Sequence, residues 1–165
     1  RGLGDVYKRQ GYNQLAWKLR QDSRVINMEK QNIRTVTAEQ IGELVDFISI
    51  DVAFISLDKV LPVATNLLKD TGSLVALIKP QFEAGKENVG KGGIVRDSEI
   101  HKEVLHRILH VAYDCGLYTH GLTFSPIKGM EGNIEFLGYF KKYEEGALTI
   151  DDTLIDTVVA EAHSL

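Results

Sequence analysis

Apolar positions along this chain switch between helical spacing and short unbroken runs. Leu15, Ala16 and Leu19 share one face of a helix predicted over residues 12–21, and residues 25–28 read as a short strand. Thr37 is placed to cap a short helix over 37–43. Residues 45–51 are almost continuously apolar, the pattern of a strand covered on both faces. A helix over 57–68 follows, with Pro62 giving it strain or a late start. Thr71-Gly72 marks a turn, and 73–79 is the next buried strand. Residues 80–96 form a loop rich in Gly and Lys, and so long a loop inside a compact domain is usually functional or mobile. Asp97 or Ser98 caps a long helix running to about Cys115 and ended by Gly116. Its core-facing series is Ile100, Val104, Ile108 and Ala112, joined by Leu105 and Leu109. Strands over 117–124 and 133–143, linked by 125–132, have no helix between them, which suggests an antiparallel pair. Leu154, Ile155, Val158, Val159 and Ala162 line one face of a last helix over 151–163. The order α-β-α-β-α-β-α-β-β-α predicts an α/β fold: a parallel, doubly wound sheet with an antiparallel edge from the closing hairpin.

Composition narrows the class. A chain of 165 residues is long enough for one domain with a real core. Its 44% hydrophobic and 25% charged content is ordinary for a globular protein. No apolar stretch approaches the roughly 20 residues that span a bilayer. The polar N-terminus has no apolar core of a secretory signal, and a single cysteine allows no internal disulfide. The expectation is a cytoplasmic protein with no membrane partner. Cys115, in a helical stretch, reads as a small buried hydrophobe. A net charge of -4 means that RNA contact needs a local basic patch or a separate domain.

Charged residues at strand ends carry the chemistry. Asp51 ends one apolar run, Lys79 ends the next, and Glu135 lies early in the run 134–140. In open α/β sheets strand ends converge on one crevice where ligands bind. A lysine and two carboxylates there can make a proton-transfer site. The alternative is a lysine snorkelling from its strand beside solvated acids. A free lysine titrates near about 10.4, so a base role needs burial or a cationic neighbour. A carboxylate alone acts the other way, so Asp51 reads as an orienting group, Lys79 as the base and Glu135 as a hydrogen-bonding positioner. Phe54 and Phe82 follow the same strand ends and could flank a ligand or pack as a lid. In the long loop, Lys86, Lys91 and Arg96 could meet phosphate, with Gly90, Gly92 and Gly93 allowing close approach. Residues 85–92 nearly spell a phosphate-binding P-loop, but position 92 is Gly rather than a hydroxyl residue. His106 and His110 have metal-ligand spacing without a third ligand on a polar face, so no metal is expected.

Five ordered segments carry a family resemblance. They are Gly11-Tyr12-Asn13-Gln14-Leu15-Ala16-Trp17-Lys18-Leu19-Arg20, Asp51-Val52-Ala53-Phe54-Ile55-Ser56-Leu57 and Lys79-Pro80-Gln81-Phe82-Glu83-Ala84-Gly85, then Val89-Gly90-Lys91-Gly92-Gly93-Ile94-Val95-Arg96-Asp97 and Ser125-Pro126-Ile127-Lys128-Gly129 to Glu135-Phe136-Leu137. Over residues 11–140 the chain resembles the TlyA family, FtsJ-like ribosomal RNA 2′-O-methyltransferases often called haemolysins. The resemblance implies a Rossmann-like S-adenosylmethionine-dependent methyltransferase sheet, mostly parallel with a C-terminal antiparallel hairpin and incomplete at the N-terminus. It implies S-adenosylmethionine as cofactor and ribosomal RNA or a ribosomal subunit as partner. Of the family's Lys-Asp-Lys-Glu catalytic set, Asp51, Lys79 and Glu135 match residue by residue. The remaining lysine, the glycine-rich cofactor loop and the RNA-binding domain would precede this sequence. Glu29 and Asn32, after the strand expected at 25–28, fall where such folds contact ribose or adenine; Asp51 and Phe54 complete the expected cofactor-binding set. The implied organisation is a non-native, adaptor-derived segment at 1–10, a partial methyltransferase domain at 11–148 and a C-terminal helix at 149–165. The expected activity is 2′-O-methylation by the full-length parent, with the fragment inactive alone; the alternative is a non-catalytic RNA-binding or assembly module. The haemolysin label implies a lytic alternative, but the sequence offers no membrane-spanning segment, and its last helix is acidic rather than basic, so no pore is expected.

Overall fold

The computed structural model describes residues 15–165. The segment expected to be adaptor-derived therefore lies outside the described residues. Helix α1 is a single turn, Trp17–Arg20, and the face expected to turn inward is not buried: Leu15 is only half-buried, and Ala16 and Leu19 are exposed. Residues 25–28 form no strand. Ile26 is exposed there, so no burial offsets the cost of extending the backbone. Helix α2, Ala38–Ile41, starts as its sequence dictates. The Thr37 hydroxyl accepts from the Gln40 amide, the Gln40 side chain returns a bond to Thr37, and Gly42 closes the turn at φ 98°.

The sheet comprises β1 (Val45–Ile50), β2 (Leu68–Ile78), β3 (Tyr118–Phe124) and β4 (Phe136–Lys141) in the order β1-β2-β4-β3. Strands β1 and β2 pair parallel, whereas β4 is antiparallel to both β2 and β3. Three strands thus run one way and β4 alone runs against them. The closing hairpin forms the antiparallel edge as expected, with β3 outermost and the reversed β4 inside it. Its buried Phe136, Gly138 and Phe140 suit an interior position, and β3 has only Thr119 buried. The turn expected at Thr71-Gly72 is instead an irregularity within β2. Val45 pairs with Leu68 but Phe47 pairs with Ser73, so β2 carries extra residues that β1 does not match.

Three longer helices cover the sheet: α3 (Leu57–Leu67), α5 (Ser98–Asp114) and α6 (Asp152–His163). Between α3 and α5 lies α4, the short helix Pro80–Glu83. Leu61, Leu105, Ile108 and Ile155 from the long helices share one core with Leu74, Ala76, Ile78 and Phe140 of the sheet. From Gly72 to Ile78 alternate residues of β2 are buried, and those between them are only half-buried. Phe47 of β1 is exposed. The expectation that this strand is covered on both faces does not hold among the described residues: α3, α5 and α6 share the core on one face. The caps on α5 match expectation, with the Asp97 carboxylate accepting from the Glu99 amide and Gly116 turning left-handed at φ 86°.

Candidate active site

Register decides where the charged residues go. Ile78 of β2 pairs with Phe136 of β4, and the two strands run in opposite directions. Lys79 is the residue after Ile78 and Glu135 the residue before Phe136, so both leave the sheet at the same end. Parallel β1 delivers Asp51 to that end, one residue beyond Ile50. Lys79 Nζ lies 2.6 Å from Asp51 Oδ1, with the lysine side chain 15% and the aspartate side chain 54% exposed. Glu135 is buried and accepts a 3.0 Å hydrogen bond at Oε2 from the Gln81 side-chain amide. Burial raises the Glu135 carboxyl above its usual range, the Gln81 bond and the Lys79 charge pull it back down, and the Asp51 charge raises it. The three residues singled out from the sequence therefore sit within electrostatic reach of one another.

The remaining expected residues fare differently. Phe54, at φ 64°, turns the chain after β1, and its ring centroid lies 4.8 Å from that of Phe82. The pair bridges the turns that follow β1 and β2. An open cleft of about 260 Å³ runs along β1 and ends at Asp51, lined there by Ile33, Ile50 and Val52. Asn32 adjoins this cleft through Ile33, but its side chain caps a short turn by accepting from the Arg34 amide. Glu29 pairs with Arg20 at 3.0 Å and accepts from Asn27.

The loop at 80–96 is more ordered in outline than its composition suggested. It contains α4 and a 3-10 turn at Lys86–Asn88. Gly90 N–H donates to Ile94 C=O, with Gly92 and Gly93 both left-handed between them. The 3-10 turn falls inside the near-P-loop, and α5 starts only at Ser98, so no helix N-terminus gathers these amides at a phosphate. Lys86, Lys91 and Arg96 are exposed along this loop. His106 and His110 instead face Asp152 at 3.1 Å and Asp114 at 3.4 Å.

Several supporting residues escaped the sequence reading. Asn133 is buried; it accepts from Val95 N–H and donates to Gly93 and Met130 carbonyls, tying the glycine-rich loop to the approach to β4. Gly129 lies against Glu135, since a Cβ there would fall 2.4 Å from the carboxyl carbon. Glu83 accepts from the Ser56 hydroxyl, the Leu57 amide and Arg107, joining α4 to α3 and α5. Lys79-Pro80 held a usable signal, because proline favours the first turn of a helix and foretells α4 with Gln81 and Glu83 on it.

Known proteins share this chain's sequence and fold. The FtsJ-like methyltransferase family model matches residues 9–142. YqxC of Bacillus subtilis, which carries the name of an rRNA methyltransferase, is 49% identical, covering 93% of this chain and 56% of that protein. The 16S/23S rRNA (cytidine-2′-O)-methyltransferase TlyA of Mycobacterium tuberculosis is 39% identical, covering 84% of this chain and 52% of that protein. A solved structure from Streptococcus thermophilus, described as a hemolysin, superposes with a TM-score of 0.87 at 49% identity, over 93% of this chain and 56% of that one. The chain spans about half the length of the curated relatives it matches. Among the described residues, no helix is long and apolar enough to cross a membrane. This chain belongs to the FtsJ-like methyltransferase family.

Proposed function

We propose that the whole protein carrying this sequence methylates a ribose 2′-hydroxyl of ribosomal RNA in the cytoplasm, with S-adenosylmethionine as methyl donor. The observation that carries this reading is the ion pair of Lys79 and Asp51 beside buried Glu135. The names of the TlyA relatives support a cytidine ribose as the acceptor. When bound, S-adenosylmethionine supplies a methyl group on a positively charged sulfur. Asp51 and Phe54 stand where the β1 end opens, and the neighbouring cleft has apolar walls and a carboxylate at its end, which fits an adenosine-like group. Glu29 and Asn32 complete the proposed cofactor-binding set if their local bonds yield.

The roles follow from placement. Lys79 takes the proton of the ribose hydroxyl, and Asp51 fixes the amine and stabilises the ammonium that results. The lysine that the family resemblance places nearby would favour the neutral amine beforehand. Glu135 accepts a hydrogen bond and holds the nucleophile in line. Lys86, Lys91 and Arg96 meet RNA phosphates beside the crevice. The 165-residue chain by itself is inactive in this reading. The rival reading, a non-catalytic RNA-binding or assembly module, draws on the exposed Phe47 along β1.

Transfer of labelled methyl groups to unmodified ribosomal RNA, assayed with the whole protein, tests the proposal. Lys79→Ala is expected to lower turnover by about 100-fold or more while S-adenosylmethionine still binds. Near-normal turnover in that variant removes Lys79 from the mechanism, and no transfer by the unaltered protein favours the rival. Charge reversal at Lys86 and Lys91 is expected to weaken RNA binding and flatten its salt dependence.

A further inference from the structure

Gln81 stands at the second position of α4, two residues after Lys79, the residue that precedes the helix. Its Nε2 donates to Glu135 Oε2 at 3.0 Å across the crevice. Its other polar atom, Oε1, is buried without a hydrogen-bond partner. Buried acceptors nearly always find a donor, so an orphan beside a carboxylate calls for a reason. The chemistry of the pair supplies one. An ionised carboxylate only accepts hydrogen bonds, and an amide NH2 satisfies it. A protonated carboxyl also donates, and a half-turn of the same amide presents Oε1 to receive that proton. One glutamine can therefore serve both states of Glu135, with the charge-assisted bond to the ionised state the stronger and the carbonyl left unpaired in that state.

The surroundings leave this task to Gln81. The charges that bear on Glu135 are Lys79 from the end of β2 and Asp51 from the end of β1. The loop at 125–132 brings the Gly129 backbone against the carboxylate, with exposed Lys128 beside it in the chain. The Glu135 main chain is held in place separately, its carbonyl accepting from Ser125 N–H at 2.8 Å.

We propose that Gln81 is a positioning residue of the site, its amide fixing the Glu135 carboxyl between Lys79 and Gly129 and serving it as donor or acceptor according to its protonation. This rests on the reading of Glu135 as part of the site, but its test needs no turnover.

The test is a pH titration of the Glu135 side-chain carbon by carbon-detected NMR on the chain itself, with Glu135→Gln identifying the resonance. Gln81→Met keeps length but removes the donor, and its Glu135 midpoint is expected to move upward. Gln81→Glu keeps the shape but sets a second carboxylate opposite, and is expected to move the midpoint upward as well. It also decides the matter if the Met variant does not fold. A midpoint that stays in place or falls in the folded variant overturns the proposal. Should Lys79→Ala retain methyl transfer while these midpoints move, the function reading fails and the Gln81 inference stands.

Discussion

Glu83 and Glu135 lie in two neighbouring regions and differ in how their charge is met. Burial raises both carboxyls. Glu83, with a side chain only 2% exposed, accepts from Ser56 Oγ at 2.6 Å, Leu57 N–H at 2.8 Å and Arg107 Nη2 at 2.8 Å. Its donors come from the start of α3 and from α5, so it acts as a joint. Glu135 receives one side-chain donor, from Gln81, and faces the Lys79–Asp51 pair. Burial alone therefore does not mark a reactive group. The joint is saturated, whereas the carboxylate at the crevice keeps accepting capacity for a substrate.

The largest expected effect strikes the joint. Glu83→Ala leaves two donors and a guanidinium without their acceptor and should destabilise the fold by about 3 kcal/mol, read by urea unfolding. An effect no larger than that of Glu135→Ala would erase the contrast. Asn133→Ala comes next. It removes three bonds from a buried amide, should cost about 2 kcal/mol, and should speed amide exchange at Val95. Gly129→Ala sharpens the comparison from the crevice side. The added methyl must displace the Glu135 carboxyl, costing about 1 kcal/mol in stability but visibly shifting the Glu135 resonance.

The smallest effect is the pH dependence. Each glutamate binds its proton more tightly folded than unfolded, so its contribution is complete below about 4.5, the usual value. As pH rises from there through the raised folded value, stability falls. Glu135→Gln should remove its share of that slope in unfolding measured across pH. An unchanged slope would mean that Glu135 is not held in a desolvated site.

What the sequence revealed follows the range of the interactions. Thr37, Asp97 and Gly116 announced helix ends because capping is settled within a few residues. Asp51, Lys79 and Glu135 were legible because apolar runs give strand ends, and strand ends share one side of an α/β sheet. Gln81, Glu83 and Asn133 were not, because their partners lie 54, 26 and 38 residues away and no periodicity encodes such bonds. The antiparallel edge was legible from the hairpin, but which of its two strands lies inside was not, since either order satisfies a hairpin; the buried Phe136 and Phe140 suit β4 to the inner place. The strand expected at 25–28 failed for a similar reason, since apolar residues make a strand only where something pairs with them.

The central claim is that Lys79 and Glu135 share one crevice, and it is tested most directly by the Glu135 titration in Lys79→Met. Removing the lysine charge is predicted to raise the Glu135 midpoint relative to the unaltered chain. An unchanged or lowered midpoint would contradict it.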